Sequence, residues 1–321
     1  MQRAEASGCR VQPALPRILR HAAVLPLVAA LLCACETGPS RYDEADAPTA
    51  VPLADITPIR PAPRLALVLG GGGPRGFAHI GVLKALDAAG VRPDLVVGAS
   101  VGAIIGSFYA AGWNGAEIEQ LAFSLSPIQL VDFDLMKPGM LRGDTLRRFV
   151  DDSMIGRHGH AQIERLPTAF AATSVRGSDG SLVVFANGNV GAAVQASSAI
   201  PGRFHPLSLR GENFADADLA SPVPIRVANA MGARVVIAVD VSAYIETTPS
   251  SAPQEWRRYD LIRRQAIDAE IGGADVVIHP DIGYYAPFGK EAWQRCIWIG
   301  EQAAQRALPR IRAAMSRIAS G

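Results

Sequence analysis

Two glycine-rich junctions, one helix apart, constrain this chain more than any other feature. The first is Gly70-Gly71-Gly72-Gly73-Pro74-Arg75-Gly76. It follows the apolar run Arg64–Leu69 and precedes a helical pattern over 76–89, with Phe77, Ile80, Leu83 and Leu86 at helical spacing and Gly90 as the stop. The second is Gly98-Ala99-Ser100-Val101-Gly102, between the apolar run Asp94–Gly98 and an apolar helix over 101–111. Each junction reads as strand, tight turn, helix. In succession they place two parallel strands side by side, with both turns at the same edge of the sheet.

The rest of the body continues the alternation. Strands are expected at 169–175, 182–185, 235–241 and 276–279, with a hairpin turn at Ser178-Asp179-Gly180. Helical patterns cover 188–198, 223–231, 255–271 and 289–317. The expected fold class is α/β: a three-layer α/β/α arrangement with a mostly parallel central sheet. A net charge of +1 excludes an electrostatic nucleic-acid binder. Four cysteines in 321 residues exclude a disulfide scaffold.

The N-terminus reads as a targeting segment. Arg3, Arg10, Arg17 and Arg20 precede the apolar run Ala22–Leu32, which is too short for the roughly 20 residues a spanning helix needs. Cys35 follows Ala34, with Leu32 three positions before it, which resembles a bacterial lipobox. Residues 1–34 are therefore expected to be a lipoprotein signal peptide. Cys35 is the expected lipidation site and membrane anchor, and Glu36 points to the outer membrane of a bacterial envelope. Without residues 1–34 the chain loses four arginines and one acid, giving about −2, and keeps Cys35 and Cys296. Six prolines in residues 36–63 suggest an extended tether over 35–63, with the enzyme domain at 64–321.

Three chemistries compete for the glycine loop. Gly71-x-Gly73-x-x-Gly76 matches a dinucleotide fingerprint, but that reading expects an acid at the end of the next strand, and Asp94 stands at its start. A Walker loop fails because no Gly-Lys-Ser/Thr follows. The third reading is an oxyanion hole, with backbone N–H groups converging at a helix N-terminus. The second junction favours it. Gly-x-Ser-x-Gly forces a serine onto a strained strand-to-helix turn, with Gly98 and Gly102 leaving room for close packing.

Serine needs a base. Ser100, Asp216 and His279 satisfy the chain order of an α/β-hydrolase triad. His79 lies inside the first helix and reads as a core histidine, and His158 and His160 read as exposed. The alternative base is a carboxylate in Asp216-Ala217-Asp218, at the end of a short apolar stretch.

These blocks together are similar to the patatin-like phospholipase family. The matching segments are Gly-Gly-Gly-Pro-Arg-Gly (71–76), Gly-Ala-Ser-Val-Gly (98–102), Ala-Ser-Ser-Ala-Ile-Pro (196–201) and Asp-Ala-Asp (216–218). The resemblance implies a patatin-like fold and lipid acyl hydrolysis by a Ser–Asp dyad without metal or cofactor. In that scheme Ser100 is the nucleophile and Asp216 the base, and the loop of Gly71 to Gly76 holds the oxyanion. The donors expected are Gly72, Gly73 and Arg75, since Pro74 has no N–H. Arg75 matches the family's basic residue. The substrate implied is a phospholipid or another acyl-ester lipid. The family usually writes Asp-Gly-Gly or Asp-Gly-Ala where this chain has Asp-Ala-Asp. Asp218 therefore adds a like charge that raises the pKa of one carboxyl or points to solvent. A lipid-binding module that keeps a dead hydrolase fold is the non-enzymatic alternative. Apolar residues Leu125, Ile128, Leu130, Phe133, Leu135 and Met136 suggest an acyl groove or ordinary core.

Overall fold

A computed structural model of the chain describes residues 41–42, 44–124, 132, 139–285 and 289–319. The signal segment, Cys35 and the six apolar residues of the suggested acyl groove lie outside the described residues.

Five strands form a parallel core: β2 (Leu65–Leu69), β3 (Leu95–Ala99), β4 (Ala169–Arg176), β8 (Val235–Val239) and β9 (Val276–Ile278), in spatial order β4-β3-β2-β8-β9. Leu-Ala-Leu-Val-Leu in β2 and Val-Val-Ile-Ala-Val in β8 are buried along their whole length. Both faces of such strands are covered, so the sequence shows a continuous apolar run in place of alternation. Burial still divides with period two. Leu65, Leu67 and Leu69 pack with α1 (Phe77–Ala88), α2 (Val101–Ala110) and α8 (Lys290–Ala319), whereas Ala66 and Val68 pack toward α6 (Ile225–Ala230) and α7 (Gln254–Ile271). The result is the expected three-layer α/β/α sandwich.

The antiparallel part is less legible in the sequence. β5 (Leu182–Phe185) pairs with β4 through the expected hairpin, and β1 (Ala50–Pro52) pairs with β5 at the edge. Strand β1, with Tyr42 and Ala47 buried, corrects the extended tether: the chain joins the body well before Arg64. Proline suits an edge strand, where a missing N–H faces no partner. The hairpin of β6 (Leu207–Leu209) and β7 (Glu212–Ala215) goes beyond the sequence expectations, and so do α3 (Gly115–Ser124) and α4 (Asp144–His158). In α4 Leu146, Val150 and Met154 are the buried apolar residues, with Phe149 packed beside them, and charged residues between them hide the stripe. Its ends are marked instead by left-handed Gly143 and Gly159. The remaining helix of the site is α5 (Val190–Ser197), whose Asn189 side chain accepts from the Ala192 N–H as an N-cap.

Candidate active site

Strands β2 and β3 run parallel in register Leu69 to Gly98, so both glycine-rich turns leave the same edge of the sheet. Ser100 stands between β3 and α2 with φ 52° and ψ −124°, a left-handed conformation rare for a residue with a side chain. Its flanking glycines have steric reasons. A Cβ on Gly102 would lie 2.0 Å from the Leu69 carbonyl oxygen, and one on Gly98 would lie 2.5 Å from the Ala103 Cα. The turn is thus locked between β2, β3 and α2, and Gly102→Ala should leave little soluble folded protein, a result that expression and circular dichroism would check.

Asp216 reaches this edge by a different route. β7 pairs antiparallel with the end of β4, Ala215 opposite Val175, which turns the next residue back toward Ser100. The segment 196–201 brackets the two. Ser197 Oγ accepts from the Ser100 N–H at 2.9 Å, and the Ala199 carbonyl accepts from the Asp216 N–H at 3.0 Å. The Ser174 hydroxyl donates to the Ala215 carbonyl at 2.6 Å and sits 3.2 Å from that of Ala196. The third sequence block therefore acts as the spacer between serine and acid.

Ser100 and Asp216 are both buried, 6% and 5% exposed, and both line one cavity of about 670 Å³ with Gly72, Gly73 and Arg75. Burial pushes the Asp216 carboxyl up to about 7. The like charge of Asp218 adds to this, and the Ser100 hydroxyl, the Asp218 N–H and Arg263 oppose it. The Asp218 N–H donates to Asp216 Oδ1 at 2.9 Å, while Oδ2 is buried and accepts no hydrogen bond among the described residues.

The glycine loop is pinned from behind. The Gly70 N–H donates to the Val239 carbonyl and the Gly71 N–H to the Pro222 carbonyl. His79 Nε2–H donates to the Gly70 carbonyl at 2.8 Å, and complete burial pushes its pKa down to about 4. His79 is the core histidine expected, and it also holds the loop in place as a neutral imidazole. Among the described residues no acceptor takes the N–H groups of Gly72 or Gly73, and Gly73 has φ 54°. The Arg75 N–H, by contrast, donates to the Gly72 carbonyl at 3.2 Å, and its guanidinium donates to the Tyr284 carbonyl. That geometry corrects Arg75 as a backbone donor and leaves it on the cavity wall.

Other sequence expectations divide. His279 Nε2–H donates to the Ser242 carbonyl at 3.0 Å, its Nδ1 lies 3.8 Å from Asp240, and its ring stacks on Tyr244. It does not line the cavity with Ser100. His158 and His160, which the sequence suggests are exposed, are both half-buried, and His158 places its Nε2–H on the Ala111 carbonyl at 2.7 Å. Cys296 is buried in α8, and burial pushes its thiol up to about 11, which makes it unreactive near neutral pH. No group of His, Cys, Asp and Glu among the described residues has metal-binding geometry. Asp218 does not point to solvent: Arg263 and Tyr259, both on α7, hold its carboxylate. No motif or spacing in the chain points to these two partners.

A mostly parallel sheet thus carries a strained serine turn, a pinned glycine loop and a buried carboxylate at one edge. The model of the patatin-like phospholipase family matches residues 67–229, just over half of the chain, and the chain belongs to that family. An uncharacterized NTE family protein of Mycobacterium tuberculosis is 35% identical over 184 residues, covering 56% of this chain and 50% of the relative. Patatin-like phospholipase domain-containing protein 6 of Homo sapiens is 34% identical over 195 residues, covering 58% of this chain and 14% of the relative. The chain thus spans half or less of the length of these curated relatives. VipD from Legionella pneumophila shares the fold, with a TM-score of 0.54 at 15% identity over 85% of this chain and 70% of that one.

Proposed function

We propose that this protein is a serine lipid acyl hydrolase working through a Ser100–Asp216 dyad. The observation that carries the reading is the juxtaposition of a strained Ser100 with a buried carboxyl held near 7 and two unengaged loop N–H groups in one cavity. Asp216 takes the proton as Ser100 Oγ attacks the ester carbonyl carbon. The carbonyl electron pair moves onto oxygen, where the N–H groups of Gly72 and Gly73 hold it. Collapse expels the alcohol, which takes the proton from Asp216, and leaves an acyl-enzyme at Ser100. Water, deprotonated by the same Asp216, then releases the fatty acid and restores the serine. The name of a Yarrowia lipolytica relative, lysophospholipase NTE1, 29% identical over 62% of this chain and 15% of its own, supports phospholipid or lysophospholipid esters as substrates.

Incubating the protein with mixed phospholipids and lysophospholipids and identifying products by mass spectrometry tests this reading. Free fatty acid is expected, and its absence from every ester offered would support the non-hydrolytic alternative. The pH dependence has a definite sign. The base works only when ionised, so kcat/KM should fall as pH drops below about 7 and level off above it. A flat profile between pH 5 and 8 would remove Asp216 as the base.

The anchor belongs to the same proposal. Lipidation at Cys35 would keep the hydrolase at the envelope membrane, its substrate reservoir. Among the described residues no helix is long and apolar enough to cross a membrane. Cys35→Ala should abolish incorporation of labelled palmitate and move the protein from the membrane to the soluble fraction. Unchanged labelling would remove the anchor.

A further inference from the structure

The departure from the family's third motif, Asp218, is held on the cavity wall by two side chains of α7. Arg263 Nε lies 3.0 Å from both of its carboxylate oxygens, and the Tyr259 hydroxyl donates to Oδ2 at 2.7 Å. The same guanidinium donates through Nη2 to the Gly71 carbonyl at 2.6 Å. Arg263 is only 6% exposed. Burial works against its charge, yet Asp218 beside it, with Asp240 further off, keeps its pKa above the usual arginine value. Space is arranged for this contact: a Cβ on Gly71 would lie 2.6 Å from Asp218 Oδ1.

We propose that Asp218 and Arg263 are a positioning pair that aims the Gly72 N–H into the oxyanion site and fixes the electrostatics of Asp216. The inference rests on the Ser100–Asp216 reading. Its core is the planarity of the peptide. The Gly71 carbonyl and the Gly72 N–H belong to one trans unit and point in opposite directions. A cation that grips the carbonyl therefore sets the direction of the N–H. It also polarises the unit, which strengthens the donor in a low-dielectric site. Gly72 lacks the side chain that would limit its rotation, so the direction of its N–H depends on an external grip. Asp218 has two roles in the pair. Its carboxylate neutralises and orients Arg263, and its backbone N–H donates to the Asp216 carboxylate.

The charged and titratable groups facing Asp216 are Asp218 from the segment after β7 and Arg263 and Tyr259 from α7. Arg263 in turn faces Asp240 after β8 and Arg75 after β2. Removing either partner of the pair should move the Asp216 titration in opposite directions. Asp218→Asn deletes the like charge and leaves the Arg263 cation uncompensated, so the acid limb of kcat/KM moves to lower pH by about one unit. Arg263→Gln deletes the cation and leaves the Asp218 anion, so the limb moves up by a similar amount. Because the oxyanion forms only in the transition state, Arg263→Gln should lower kcat roughly 10- to 100-fold with KM little changed. Arg263→Lys keeps a buried cation and should recover part of that loss.

The test is a pH–rate profile on a soluble p-nitrophenyl acyl ester for wild type, Asp218→Asn, Arg263→Gln, Arg263→Lys, the double variant Asp218→Asn/Arg263→Gln and Ser100→Ala. Circular dichroism normalises each rate to folded protein. Opposite limb shifts, a limb near the wild-type position in the double variant and a kcat-specific loss in Arg263→Gln support the pair. Wild-type kcat and limb position in the folded single variants overturn it, as does a loss that vanishes after normalisation. If Arg263→Gln does not fold, Arg263→Lys and Asp218→Asn decide on the same criteria. An active Ser100→Ala overturns the dyad reading itself; an inactive one beside unshifted pair variants overturns the pair alone.

Discussion

Replacing Ser100 by alanine is expected to lower ester hydrolysis by about 10⁴-fold or more while leaving the fold intact. The catalytic half of this expectation follows from chemistry: without the hydroxyl no acyl-enzyme forms, and only binding and the loop donors remain. The structural half follows from the turn. The Ser100 backbone carries its φ of 52° whatever the side chain, and its N–H keeps the bond to Ser197 Oγ. Serine and alanine bear the same cost of roughly 1–2 kcal/mol for a left-handed conformation. Thermal unfolding of the variant should therefore lie close to that of the native protein, and substrate binding should survive. A variant that loses activity and unfolds would reveal a structural serine instead.

Asp216→Asn should be nearly as inactive and yet more stable. An acid whose pKa rises from 3.8 in the unfolded chain to about 7 in the folded one destabilises the fold wherever it is ionised. Below pH 4 both states hold the proton and the cost is absent. It grows as pH rises from 4 to 7 and is complete above 7. Three pKa units amount to something on the order of 4 kcal/mol, an upper bound because Asn must still satisfy a buried polar group. The variant's Tm advantage should therefore be several degrees at pH 8 and should shrink toward zero at pH 4. An Asn variant less stable than wild type at pH 8 would mean that the carboxylate is better solvated than its burial implies. Stability lost to a functional charge is a recognised pattern at active sites.

Much of this architecture is written locally in the chain. Parallel strands buried on both faces leave apolar runs, and a serine elbow cannot pack without Gly98 and Gly102, so the sheet edge and Ser100 are legible from short windows of sequence. Asp216 is legible only as part of a motif, since the β6–β7 hairpin that delivers it is short and its strands carry no clear alternation. Arg263 and Tyr259 leave no local trace. They sit on an ordinary amphipathic helix far along the chain, and only tertiary packing brings them to Asp218 and Gly71. The N-terminal boundary misleads for the opposite reason. Six prolines describe a segment without periodicity, but the edge strand β1 tolerates the one it contains, Pro52, and still pairs with β5.

The most direct test of the Ser–Asp account is mass-spectrometric mapping of a fluorophosphonate probe on wild type, His279→Ala and Asp216→Asn. A single adduct on Ser100 is expected in wild type and in His279→Ala, formed at similar rates, with very slow labelling in Asp216→Asn. An adduct on another residue, or labelling lost in His279→Ala but kept in Asp216→Asn, would contradict it and return the base to histidine.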